Sequence, residues 1–492
     1  MKRRLIVTAF VVGLLLPHCS PSSPPSSSDT ADSLESDTAQ EDAHGDTDVA
    51  ASSDQGVVDS EPSDLELSND TEPADLTNAA DAAASYGWFT IGDGSLFKTL
   101  PKALKTPCKM PPNCLDVAIG PNNAGANAII ARDNDFLLGG YFEVGQDFRA
   151  WMGVVDCNGA LVEEFKSTVP ESSMMGLWRA NGLLVMSASS GSKNMAYVKA
   201  HGAAGAQVFT KRFVAPGPNW LAFGGAAFGS AITMAGAFGD PADIGKNTAK
   251  WDGVAIRLSK INGSIIWTHR SEHVSAYHYA TATADDGLIV AGLGASLGSG
   301  AIASIDAAGK TLWWKALDGN VAKGFPSMDF SPNGMAELSS GYTVVGRASG
   351  GPLSHDDAAY VTFDSAGIVS VWGGLPEPSG GDFVWQDDAK GIVALPNARA
   401  AYAANARPKS SNQVQKLPGT ARIAIFKPPQ SMNDKNELYE HVWFGSGKSE
   451  LRRLIVGPWD GLVAVGSYLP DPTKPKRIWL VKASPGKLHY CQ

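Results

Sequence analysis

The stretch Ala303–Gly319, ASIDAAGKTLWWKALDG, decides the architecture. Ala303–Asp306 reads as the end of a strand, Ala308-Gly309 as a tight turn, and Thr311 onward as a second strand carrying Trp313 and Trp314. Turn residues between two apolar runs are the signature of a hairpin. The same rhythm, diluted, returns along the chain.

One apolar run bounded by a turn appears as NDFLLGGYF at Asn134, NGLLVMSAS at Asn181, GSAITMAGAF at Gly229 and DGLIVAGLG at Asp286. It continues as SGYTVVGRAS at Ser340, KGIVALPNA at Lys390 and DGLVAVGSY at Asp460. A second run follows each: WMGVVD at Trp151, AYVKAHG at Ala196, VAIRLSK at Val254, AIASIDAAG at Ala301, AYVTFDSAG at Ala359, RIAIFK at Arg422 and IWLVKAS at Ile478. A third feature is a turn glycine with an aromatic four residues on: Gly205 and Phe209, Gly263 and Trp267, Gly309 and Trp313, Gly486 and Tyr490. Gly367 and Trp372 keep it one residue late. The spacing of about 47 to 57 residues, stretching to about 70 at the last step, fits propeller blades.

A twisted four-stranded sheet with two apolar faces cannot bury both alone, and stacking around an axis covers them. The expected fold is all-β: a seven-bladed β-propeller of four-stranded blades, with each repeated aromatic packed on the next blade. A solenoid or a row of separate sandwiches is the alternative. The D-x-x-G-x-x-x-W turn in IDAAGKTLWW, and KINGSIIW at Lys260, resemble the repeats of bacterial PQQ-like (quinoprotein-dehydrogenase-like) β-propellers. The DGL-x-V-x-G rhythm is similar to that of repeat lipoproteins of uncharacterised function. The resemblance runs over about Pro121–Gln492 and implies a fold, not a function. Those quinoproteins use adjacent cysteines and a calcium site; no two cysteines are adjacent here, and no cofactor is expected.

The chain opens MKRRLIVTAFVVGLLLPHCS. A basic start and an apolar run of about a dozen residues, too short to span a bilayer, read as an export signal over 1–18. Leu16 and Cys19 resemble a lipoprotein lipobox, with His18 where that family has a small residue, so Cys19 is the expected lipidation site and an ordinary signal with an incidental cysteine the alternative. Residues 19–85 hold 17 acids and neither Lys, Arg nor an aromatic side chain, the composition of a disordered tether. Without these acids and the three basic residues at the start, 37 Lys and Arg face 33 Asp and Glu. That balance gives no single-signed surface for nucleic acid. A lead segment over 86–120 then precedes the propeller at 121–492; its Lys98, Lys102, Lys105 and Lys109 share one face of a possible short helix, read as solvated.

Apart from Cys19, the cysteines are Cys108, Cys114, Cys157 and Cys491, an even set in an oxidising compartment. The short loop CKMPPNC favours Cys108–Cys114, leaving Cys157 with Cys491, though four cysteines allow three connectivities. GASLG at Gly294 matches G-x-S-x-G around Ser296 but lies in a Gly/Ser-rich loop without the strand-to-helix turn of a nucleophile elbow. GSGKSE at Gly445 has only the tail of a phosphate loop. HRSEHVSAYHY places His269, His273 and His278 near one another without carboxylate or thiol partners at ligand spacing, so it reads as a blade connection and no metal site is expected. Candidate binding loops are the basic one around Arg407, Lys409 and Lys416, and the aromatic-basic HVWFGSGKSE with Trp443 and Lys448.

The functional expectation is an exported, outer-membrane-anchored, non-enzymatic binding or scaffold module, periplasmic or at the cell surface. Its partners would be the membrane, through the lipid, and a protein or glycan. The alternative is a propeller hydrolase or lyase acting on an extracellular polymer.

Overall fold

The computed structural model describes residues 89–92, 97, 102–105, 112–180, 182–191, 195–202, 206–240, 251–294, 299–317, 329–339, 341–350, 353–375, 385–408, 419–429, 434, 437–457 and 461–491. Two strands come before the repeats: β1 (Thr90–Gly92) and β2 (Cys114–Ile119). The described residues form seven antiparallel sheets. Blade 1 holds β3 (Ala124–Ala131), β4 (Asp135–Val144), β5 (Asp147–Asp156) and β6 (Leu161–Lys166). Blade 2 holds β7 (Ser172–Ala180), β8 (Leu183–Ser190), β9 (Met195–Gly202) and β10 (Gln207–Val214). Blade 3 holds β11 (Trp220–Phe228), β12 (Ile232–Gly239), β13 (Trp251–Leu258) and β14 (Ile265–Arg270). In blade 4 are β15 (Val274–Ala282), β16 (Leu288–Gly294), β17 (Gly300–Ile305) and β18 (Thr311–Leu317). Blade 5 follows with β19 (Asp329–Leu338), β20 (Gly341–Gly350), β21 (Leu353–Phe363) and β22 (Val369–Gly374). Blade 6 has β23 (Trp385–Leu395), β24 (Arg399–Pro408), β25 (Ala421–Lys427) and β26 (Glu437–Phe444). Blade 7 has β27 (Glu450–Val456), β28 (Leu462–Tyr468) and β29 (Arg477–Ala483).

First strands touch in cyclic order, and β27 meets β3, so the ring is closed. Seven apolar clusters hold it together, one at each blade junction. One joins Phe213 of blade 2 to Phe223 and Ile256 of blade 3, and another joins Ile478 of blade 7 to Phe136 and Trp151 of blade 1. The core thus lies between blades rather than inside any sheet, which is why no unit is stable alone. Middle strands are buried on both faces, β12 and β17 throughout, and read as continuous apolar runs. Outer strands such as β6 and β14 keep exposed positions.

The repeated turn has a local physical basis. Asp306 Oδ1 accepts the backbone N–H of Ala308 at 3.0 Å and of Lys310 at 2.8 Å, and Gly309 takes φ +87° to close the turn. Asp156 and Asp364 act alike. Three turn glycines meet the outer aromatic of the preceding blade: a Cβ on Gly263 would lie 2.5 Å from the Phe209 ring, on Gly309 2.8 Å from Trp267, and on Gly367 2.8 Å from Trp313, whereas Gly159 of the Asp156 turn meets Val117. Trp267 and Trp313 then donate their indole N–H to Ala307 O at 2.8 Å and Ser365 O at 3.1 Å. The expected packing of each aromatic on the next blade is therefore seen at three successive junctions.

The sequence reading needs correcting at three places. KGIVALPNA, grouped with the first apolar runs, which in the other blades are second strands, is instead the end of first strand β23 and its hairpin; the second strand of blade 6 is the alanine-rich β24. Gly486–Tyr490 forms no outer hairpin: Leu488–Cys491 is a 3-10 turn. The fourth strand of blade 7 is β2, paired with β29 from Cys114↔Ala483 to Ile119↔Ile478. That pairing also corrects the disulfides. It carries Cys114 to the turn holding Cys491, and these two are bonded, Cα–Cα 5.4 Å, so neither Cys108–Cys114 nor Cys157–Cys491 forms. Cys157 is disulfide-bonded as well.

β1 extends blade 2 as a fifth strand on β10, with Phe89 packed on Phe213 at 5.6 Å. Between β1 and β2 the chain touches blade 1, where Leu104 N donates to Asp135 Oδ2 at 2.6 Å and Asn134 donates to Leu104 O at 2.9 Å. Residues 102–105 are not helical; Lys102 and Lys105 are exposed, and Lys98 and Lys109 lie outside the described residues. No helix among the described residues is long and apolar enough to cross a membrane.

Candidate functional site

The seven first strands line the axis, and each carries a bulge at the same level. The extra residues are Asn127, Met175, Gly224, His278, Asn333, Lys390 and Arg452. A bulge re-aims side chains and is a usual device beside sites. Here it builds a polar ring across the junctions. Arg452 Nη1 donates to Asn127 Oδ1 at 2.7 Å, and Asn127 Nδ2 donates to Ser173 Oγ at 3.0 Å. Ser187 donates to Phe223 O at 2.7 Å, and Tyr279 OH donates to Asn333 O. Asn333 Nδ2 donates to Asp388 Oδ1 at 2.8 Å, and Asp388 pairs with Lys390 at 2.5 Å. Asn405 exchanges two bonds with the Leu451 backbone, at 2.7 and 2.9 Å.

After the bulge, five blades place a small residue: Ala128, Gly176, Gly225, Gly334 and Gly391. Close approach demands this, since a Cβ on Gly334 would lie 2.8 Å from Gly391 Cα and on Gly225 3.1 Å from Ala280 N. Blades 4 and 7 break the rule with Tyr279 and Arg453. These two meet. The Arg453 guanidinium lies 4.8 Å from the Tyr279 ring centroid and donates from Nη2 to Gly224 O at 2.9 Å. Arg453 thereby reaches from blade 7 across the axis to blades 3 and 4.

Lys390 pairs with Asp388, and Arg452 and Arg453 add two cations from the first strand of blade 7. Burial, seconded by the charges of Arg453 and Lys390, pushes His278 down to about 4, against a backbone hydrogen bond to Pro332 that opposes the shift, so the ring is neutral near pH 7. Tyr141 lies between Arg452 and Lys476, whose Nζ donates to its hydroxyl at 3.0 Å. Burial raises this phenol, but the two cations and their hydrogen bonds outweigh burial and hold it below its ordinary value.

The residues singled out from the sequence do not assemble into one site. Trp443 stands on β26 under the buried Arg422 guanidinium, 5.7 Å away, which also covers Tyr402 at 5.4 Å. Lys448 is exposed in the connection to blade 7, with its backbone N–H on Leu469 O at 2.8 Å. Gly445 and Gly447 of that phosphate-loop tail take positive φ to pass over the Trp479 ring and the Pro470 backbone. Arg407 lies in β24, one residue before its end, with its side chain outside the described set; Lys409, Lys416, Cys19, Cys108 and Ser296 lie outside the described residues. The three histidines part company: His269 bonds Gly309 O at 3.1 Å and Tyr277 OH at 3.2 Å, His273 stacks on Trp314 at 4.6 Å, and His278 enters the channel. Only His278 of the sequence candidates belongs to the polar ring. The rest was missed because the bulged positions share no residue type; the one signal was a glycine directly after an odd polar residue, as in DDAKG and SPNG.

One end of the blades, where the first strands begin, is called upper here. Its row Asp388, Asn405, Ala421 and Phe444 shows that β24, β25 and β26 end or begin there together. The strand ends that flank 240–250, 318–328, 375–384 and 409–420 all lie at this end.

No known protein family matches the sequence, and no curated protein does. Solved structures resemble the chain in fold. Sqt1 of Chaetomium thermophilum is 12% identical, covering 75% of this chain and 98% of its own, with TM-score 0.43. Hydrazine synthase of Kuenenia stuttgartiensis is 9% identical over 74% and 95%, with TM-score 0.42. A putative oxidoreductase (glucose dehydrogenase) of Thermus thermophilus is 14% identical over 75% and 99%, with TM-score 0.32. What this chain is, on its own strand order and register, is a seven-bladed β-propeller.

Proposed function

We propose that this protein is an exported, lipid-anchored β-propeller that serves as a binding or scaffold module for a protein or glycan at the outer membrane or cell surface. Cys19 carries the lipid and the acidic segment holds the ring away from the bilayer. One observation carries the binding reading: the four long connections from blades 3 to 6 share the upper end, whereas lower-end connections run from two to nine residues. Loops gathered on one end of a rigid ring are where propellers meet ligands.

Crosslinking intact cells, then isolating the tagged protein from the membrane fraction, tests this. A discrete partner or glycan whose crosslinks fall on the upper-end connections, and which Lys448→Glu weakens, is the expected result. Crosslinks confined to the lower end would overturn the reading. Cys19→Ala is expected to move the protein to the soluble fraction; unchanged membrane retention would refute the lipid anchor.

A further inference from the structure

We propose that the central channel binds a small hydroxy acid, its carboxylate on Arg453 and a hydroxyl on His278. The inference deepens the binding reading, and rests on it only for the larger glycan to which such an acid would belong.

The pseudo-symmetry of the ring is the first argument. Five blades keep Gly or Ala after the bulge because neighbouring backbones need the space, so Tyr279 and Arg453 are not what ring packing asks for. Arg453 is half-buried and uses Nη2 on Gly224 O. Its Nε and Nη1 have no protein partner among the described residues, which leaves donors of a planar fork, the geometry that suits a carboxylate.

His278 supplies the second, independent argument. Its Nε2 is buried without a hydrogen-bond partner among the described residues. A buried polar nitrogen left unpaired is costly, and a ligand hydroxyl, which both donates and accepts, satisfies it. The Tyr279 ring lies against both, 4.8 Å from the Arg453 guanidinium and 6.4 Å from the His278 ring, so the donor fork and the orphan nitrogen flank one side chain. Asp388 does not neutralise Arg453, being already engaged by Lys390 and Asn333. An acid without a hydroxyl, or a hydroxyl without an acid, satisfies only half of the site.

Isothermal titration of the purified full-length protein with glucuronate, acetate and glucose tests the proposal. Glucuronate should bind saturably, and acetate and glucose about tenfold or more weakly, as expected when one buried partner is left unpaired. Arg453→Gln and His278→Ala should each weaken glucuronate about tenfold. Both variants are checked for the wild-type circular dichroism spectrum, since His278→Ala also removes the edge contact of the imidazole with Tyr279 at 6.4 Å. Absence of glucuronate binding up to about 10 mM, equal binding of glucose, or wild-type affinity in folded His278→Ala would each overturn the proposal. Loss of the crosslinked partner with glucuronate binding intact would instead refute the upper-end reading alone.

Discussion

Gly309 shows how one residue ties two blades. Its φ of +87° suits glycine, and its missing side chain lets Trp267 of blade 3 lie on the turn of blade 4. Gly309→Ala must hold an L-residue in the left-handed region, about 1–2 kcal/mol, and displace an indole ring as well. The expected loss is about 2–3 kcal/mol in urea denaturation, larger than for Gly486→Ala, whose φ is similar but whose Cβ would meet nothing within 4 Å. Equal losses at the two positions would remove the packing role. His278 makes a second residue-scale prediction. Its folded value of about 4 lies below the unfolded value near 6.5, so the unfolded chain binds the proton first as pH falls. Full stability is present above pH 6.5 and declines toward pH 4, by at most about 3 kcal/mol. His278→Gln should flatten the fall in thermal midpoint over that window; an unchanged profile would mean the ring is solvated.

At the scale of elements, strands with a local signature were legible and those defined by distant partners were not. The D-x-x-G turn announces itself because Asp, Gly and aromatic act within eight residues of one another. β24 hid itself, since Ala400, Ala401, Ala403 and Ala404 are poor strand formers selected by tight burial between blades 5 and 7. β2 hid for another reason: its partner β29 lies at the far end of the chain. The cysteines follow suit. Loop length argued for Cys108–Cys114, but strand pairing places Cys114 beside Cys491 and closes a ring of sequence separation 377. Loop-closure entropy for so long a ring gives up to about 5 kcal/mol. Cys491→Ser is therefore expected to lower the thermal midpoint and to speed amide exchange selectively along β2 and β29. Unaltered exchange there would show that the strand pairing holds the closure without the bond.

For the whole molecule, the polar ring and the closure are properties of the circle, which no single repeat encodes. Bulged residues as far apart in the chain as Asn127 and Arg452 become neighbours only when the seventh blade meets the first. That meeting depends on β2. Asp116 on β2 accepts the Trp479 indole N–H at 2.7 Å, Lys482 donates to Pro112 O at 2.6 Å, and Arg477 donates to Gly120 O at 3.2 Å. Without β2, strand β29 becomes an open edge flanked by the apolar junction of blades 7 and 1, the arrangement that invites association between copies. A chain beginning at residue 121 should therefore elute as oligomers and exchange amides rapidly in β27–β29 and β3, while one beginning at residue 86 stays monomeric. Because the missing strand is short and its edge preformed, a peptide spanning residues 112–120 should restore the monomer when added in excess, as an added strand completes a sheet. Full stability of the shorter chain, without the peptide, would mean that junction packing alone closes the circle and that β2 merely decorates it.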